Sequence, residues 1–123
     1  DVLYAERAGV TDAARERNII AFGNVNDMNK EENGTNVVVT SALWHMESAI
    51  NHAISSVKAG TYVAEDYKEW TMMQKGGASL APYYEFDDQI AADVKAKVAA
   101  ISSDIMSGNF TVVVNDDEPK STY

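Results

Sequence analysis

Apolar and polar positions along this chain follow two periods. Residues 2–5 (V-L-Y-A), 19–23 (I-I-A-F-G) and 37–40 (V-V-V-T) are short apolar runs with no polar alternation. That pattern predicts strands of a parallel sheet covered on both faces. Residues 9–17 read as a short helix ending near Asn18, so the first strand, this helix and the second strand compose one βαβ unit. A polar loop over 24–35 follows the second strand at its carboxyl end, the place where open α/β sheets hold ligands. A long helix is predicted over 41–59, with Leu43, Met46, Ile50, Ala53, Ile54 and Val57 on one face at helical spacing. Thr40 and Ser41 stand at the junction, where hydroxyls cap free N–H groups. Gly60 occupies the position of a left-handed C-terminal cap. Residues 61–73 read as extended, followed by a Gly76-Gly77 turn and an Ala81-Pro82 bend. A last helix over 88–107 carries an apolar stripe of Ile90, Val94, Val98, Ile101 and Ile105, with Gly108 as terminator. Residues 110–114 read as a short closing strand. Residues 115–123 form an acidic tail with nothing to bury, expected to be mobile.

Composition narrows the class without naming a function. With 123 residues, 46% hydrophobic and 24% charged, the chain can bury one domain's core. A net charge of −9 argues against nucleic acid, because neutralising phosphates takes clustered Lys and Arg. No apolar run approaches the ~20 residues of a membrane span. The absence of cysteine excludes disulfides, thiolate metal sites and thiol catalysis. Asp1-Val2-Leu3-Tyr4 reads as the middle of a strand, which leads us to expect a piece of something longer. Missing neighbours would leave apolar surface and open edges, so self-association is expected too.

The chemical candidates each have a bland counterpart. His45 and His52 lie seven apart on the predicted helix with no third ligand beside them, so two solvated histidines are expected rather than a metal site. No serine sits in a nucleophile-elbow setting, and Asp87-Asp88 adjoin the last helix, where carboxylates cap free N–H groups. No nucleophile–base–orienter set can be assembled, and the chain is not expected to be an enzyme. Asn24, Asn26 and Asp27 are either hydrogen-bonding groups for a ligand or turn residues bonding their own backbone. Gly76-Gly77 is a simple turn or a backbone that must come close to a ligand. Trp44, placed in the first turn of the long helix, is half-buried packing or an aromatic platform beside a cleft.

Several segments, taken in order, resemble the C-terminal part of the basic-membrane-protein family, the solute-binding components of ABC importers. These are D-V-L-Y, A-F-G-N-V-N-D-M, T-S-A-L followed by a helix and A-G-T-Y, then K-G-G-A-S-L-A-P-Y and A-D-V-K-A-K-V. The resemblance runs from Asp1 to about Phe110. It implies an α/β fold of the type I periplasmic-binding-protein kind, a mostly parallel sheet with flanking helices, over residues 1–114. It implies a small molecule, nucleoside or related aromatic solute, held in an interlobe cleft by Asn24, Asn26, Asp27, Trp44, Gly76 and Gly77. No cofactor, no conversion of the ligand and no nucleic acid are implied. The implied partner is a membrane permease, and the implied location is periplasmic, with lipid anchoring through a preceding segment. Val25 stands where nucleoside receptors of the family often carry an acid, and Trp44 where lysine is usual. More aromatic and less ribose recognition is therefore expected. The alternative is a ligand-sensing or regulatory domain outside transport on the same fold, since fold does not settle that choice.

Overall fold

The computed structural model describes residues 1–7, 9–31, 33–113 and 117. Among them the chain forms β1 (Val2–Ala5), α1 (Val10–Glu16), β2 (Ile20–Val25), β3 (Val38–Trp44), α2 (Glu47–Ala59), β4 (Ala78–Leu80) and α3 (Ala92–Ser107). Single 3-10 turns lie at Met28–Lys30, Tyr67–Thr71, Met73–Lys75 and Tyr84–Gln89. The sheet order is β1-β2-β3-β4, with β1, β2 and β3 parallel and β4 antiparallel to β3. The protein is thus α/β with a mixed four-stranded sheet.

The βαβ start is as the apolar runs predict. One face of β1 and β2 packs on α1, where Ala5, Ala14, Ala21 and Val38 are fully buried with Met28 and Val37 beside them. Small side chains let helix and sheet approach closely. Burial of Val38 contributes about 2 kcal/mol on ordinary transfer scales. The expectation of burial on both faces is corrected, however. Val2, Tyr4, Ile20 and Phe22 point to the other face and stay open, Tyr4 at 57% exposure.

The third strand and the long helix divide differently from the predicted junction at 40/41. β3 runs on to Trp44 because its extra residues are paired on both sides. Asn24 and Val25 face Ala42 and Leu43 on one edge, while Leu80, Ser79 and Ala78 face Ala42, Leu43 and Trp44 on the other. Ladder bonds on both edges outweigh a modest local helix preference. Thr40 and Ser41 consequently cap nothing. The Thr40 hydroxyl donates to the Ala81 carbonyl at 2.7 Å, and the Ser41 Oγ accepts the Met28 N–H at 3.1 Å. α2 begins at Glu47 and none of its residues is fully buried, Ile50 and Val57 included.

Gly60 and Gly108 do end α2 and α3 in the left-handed region, at φ 70° and 78°. α3 starts at Ala92 rather than 88, because Asp87 and Asp88 lie in the preceding 3-10 turn. Asp87 caps nothing and instead pairs with the Lys95 ammonium at 3.0 Å. The extended reading of 61–73 gives way to a 3-10 turn over Tyr67–Thr71, and residues 110–113 form no strand. Val114 and the 115–123 tail, apart from Asp117, lie outside the described residues.

Candidate functional site

Two groups of predicted site residues sit at the carboxyl ends of neighbouring strands. The first follows β2. Val25 adopts φ 70°, a left-handed conformation that costs a β-branched residue on the order of 1–3 kcal/mol. This reverses the chain, and the Asn26 N–H donates to the Asn24 carbonyl at 2.9 Å. The Asn24 N–H points at the Met28 sulfur, 3.4 Å away. Asp27 then turns inward. Its Oδ2 accepts the Tyr84 hydroxyl at 2.5 Å and the Lys30 ammonium at 3.1 Å, while Oδ1 is buried with no partner among the described residues. Tyr84 is itself held at φ 48°. The Lys30 ammonium is held above its usual pKa by Tyr84 first and Asp27 second. Strain at both Val25 and Tyr84, flanking a half-satisfied carboxylate, is the kind of feature that collects at ligand sites.

The second group surrounds the end of β3. Trp44 lies at the end of this strand, 57% exposed, instead of opening a helix. With Met46, Thr71 and Gly77 it lines a hollow of about 410 Å3. Gly77 is there for lack of a side chain: a Cβ would stand 2.0 Å from the Trp70 carbonyl oxygen and 2.5 Å from the Thr71 backbone. Its carbonyl accepts the His45 N–H at 2.9 Å, fixing the hollow to β3. Gly76 does not line the hollow. It sits at φ 75° in the turn behind, next to Ser48, whose hydroxyl donates to the Lys75 carbonyl at 2.6 Å. The structure therefore brings Trp44 to Gly77, keeps Asn24 at the end of the adjacent strand and Asp27 in the turn beyond it, and leaves Asn26 exposed in solvent.

The histidines are half-buried and each has a side-chain partner, rather than being freely solvated as expected. His45 Nε2 and Ser79 Oγ are 2.7 Å apart in hydrogen-bond contact. His52 stacks on Trp70 and reaches Glu65. No carboxylate accepts a hydrogen bond from His45 among the described residues, and no three metal-ligating side chains converge there. Tyr84, Met46, Thr71 and Ser79 were invisible as site residues in the sequence. Tyr84 lies 57 positions from the carboxylate it binds, and no local pattern joins them. A larger cavity of about 550 Å3 separates the open sheet face from α3, but apart from Thr40, Tyr83 and Gln89 its lining, which includes Ile20, Phe22 and Val98, is apolar.

This fold places two candidate ligand groups at the carboxyl edge of a largely parallel sheet, as open α/β proteins do. The chain superposes on a crystal structure described as a transcriptional activator of the comK gene from Bacillus halodurans, with a TM-score of 0.63 and 21% identity. The match covers 89% of this chain and 38% of that one, so the chain spans well under half of the activator's length. No protein-family model and no curated protein sequence matches the chain.

These findings correct the resemblance drawn from the sequence. Membership of the basic-membrane-protein family is unsupported by any family match, and the structural neighbour is a protein of gene regulation. The expected role as the solute-binding part of an ABC importer, with a permease as partner, falls with it. The exclusion of nucleic acid as a partner is overturned by the same neighbour. The physical reason is that the quoted segments encode strands, turns and helix ends. Such segments specify a sheet that serves many functions. One of them, T-S-A-L, lies within β3 and does not open a helix.

Proposed function

We propose that this chain is a ligand-sensing regulatory domain, in which a small molecule bound at the carboxyl ends of β2 and β3 controls a gene-regulatory output. The observation that carries this reading is the superposition of 89% of the chain on a transcriptional activator. The site geometry supports it, since the Trp44 hollow offers a flat apolar surface at the end of β3, and Asp27, beyond the end of the neighbouring strand, keeps a buried Oδ1 with no partner among the described residues. The finer form of the fold in this reading is that of a type I binding protein, whose ligands lie between two lobes. With a net charge of −9, these residues supply sensing, and contact with phosphates falls to other surfaces of the regulator. The ligand is bound and released without conversion.

The test pairs binding with output. A small-molecule panel is screened for thermal stabilisation of the protein, and hits are carried to a reporter gene responsive to the intact regulator. A ligand that raises the melting temperature should also change reporter expression, and Trp44→Ala and Asp27→Asn should blunt both. Reporter expression that ignores every stabilising ligand would overturn the reading.

A further inference from the structure

We infer that α2 is a self-recognition helix, whose outward apolar stripe pairs antiparallel with the same stripe of a second copy of this chain.

The helix presents its apolar side to water and its polar side to the protein. The Ser48 hydroxyl donates to the Lys75 carbonyl at 2.6 Å. His52 stacks on Trp70 at 4.0 Å between ring centroids, and its Nε2 is 3.0 Å from the Glu65 carboxylate. The segment after the helix thus covers the Ser48 and His52 side. Met46, Ile50, Ile54 and Val57 stand on the opposite side, between 47% and 61% exposed. At about 3.6 residues per turn they share an arc of about 80°. Single exposed apolar residues are ordinary, whereas a whole helical stripe turned to water marks a contact surface. Exposed Trp44 precedes the stripe and exposed Tyr62 and Val63 follow it, so apolar surface continues past both ends.

Symmetry and charge name the occupant. Ile50 and Ile54 lie two residues either side of position 52, Met46 and Val57 six before and five after, Glu47 and Lys58 five before and six after. A twofold axis through the middle of the helix therefore sets Ile50 against the partner's Ile54 and Met46 against the partner's Val57. Glu47 and Lys58, three helical turns apart, flank the stripe on one side, so the same axis brings each Glu47 to the partner's Lys58. Both side chains are exposed, and neither has an ion pair or hydrogen bond among the described residues. His52 faces the other way, so the contact surface is neutral in a chain of net charge −9. Two copies meet there without the repulsion that like charges impose. Antiparallel helix dipoles add to the attraction, and a contact of this isologous kind closes at two copies. The groove under the sheet gives α2 no such match. Its volume of about 550 Å3 is roughly a third of that of a 13-residue helix, and none of its described lining residues is charged.

Two helices of this length bury an area at the small end of specific interfaces, so the dimer is weak, with a Kd on the order of 100 μM. Sedimentation velocity between about 10 μM and about 500 μM should show monomer passing into dimer. Ile50→Glu, at an exposed site, should abolish the dimer and leave the melting temperature nearly unchanged. Glu47→Lys and Lys58→Glu should each weaken it about tenfold. Mixing these two variants in equal amounts should restore association to near that of the parent, because only the mixed pair has opposite charges at both contacts. Each reversal also opposes the helix dipole, which lowers the stability of α2 but does not produce recovery on mixing. A chain that stays monomeric throughout overturns the inference. So does a dimer that Ile50→Glu leaves intact, which would lie on the open sheet face instead. Single reversals that associate like the parent, or a mixture no stronger than its components, overturn the antiparallel pairing.

Discussion

The Trp44 indole is more than half exposed at the end of β3, so removing it should separate binding from folding. Trp44→Ala is expected to weaken binding of a flat ligand about tenfold, or about 1.4 kcal/mol, with the melting temperature nearly unchanged. Titration of a stabilising ligand and thermal unfolding of both proteins check this, and unfolding without a binding defect would assign Trp44 to packing. Glu85 makes the opposite case, a charge that works for the fold. Its carboxylate accepts the Asn36 N–H and the side-chain amide of Asn29, which is itself buried and bonded to the Val38 carbonyl. The Asn36 N–H above all, against some burial, holds its pKa below the usual 4.5. A carboxylate lowered in the folded state adds stability above its unfolded pKa, and that stability is lost as pH falls through the lowered value. Glu85→Gln should thus cost about 1 kcal/mol at neutral pH and flatten the decline of stability below pH 4.5. Melting temperatures of both proteins across the acid range decide it. Asn29 and Asn36, which donate to the Glu85 carboxylate, lie 56 and 49 positions away, so no local pattern in the sequence marks the residue.

Among elements, the turn leading into β4 gives the clearest contrast. Gly77→Ala must displace the Trp70–Thr71 backbone, so it should cost about 2 kcal/mol or more and deform the hollow. Gly76→Ala meets the Ser48 hydroxyl only at 3.3 Å and pays mainly for its φ of 75°, about 1 kcal/mol, leaving ligand binding intact. Denaturant unfolding with ligand titration separates the two, and equal binding losses would remove Gly77's special role. The last helix yields a smaller effect than its stripe suggests. Val98 borders the groove below the sheet but no residue of α3 is fully buried, so Val98→Asp should cost about 1 kcal/mol in denaturant unfolding rather than several. The glycine stops of α2 and α3 were legible because a positive φ is a property of one residue. The strand β4 was not, since three residues are too few to show a period and their stability comes from pairing with β3.

At the scale of the whole molecule, a ligand that binds only the folded form should raise stability by about 2.7 kcal/mol at a hundredfold excess over its Kd. A reporter-active ligand that leaves the unfolding curve where it was would show that it acts elsewhere. The chain by itself determined the opening strand–helix–strand unit, because apolar runs and helical spacing are local and α1 packs on the strands it connects. It also determined the helix ends at Gly60 and Gly108. Position at the carboxyl ends of strands was readable from the order of elements, which placed Asn24, Asn26 and Asp27 at and just beyond the end of β2, where the structure also has them. Tertiary structure alone decided where β3 stops, because Ala42–Trp44 take their conformation from partners on β2 and β4. It alone joined Asp27 to Tyr84 and His52 to Trp70, and it chose which sheet face is covered. These are pairings between residues far apart in the chain. Their energies depend on backbone ladders, ring stacking and hydrogen bonds that exist only once the strands have met, whereas a periodic pattern reports what each segment prefers alone.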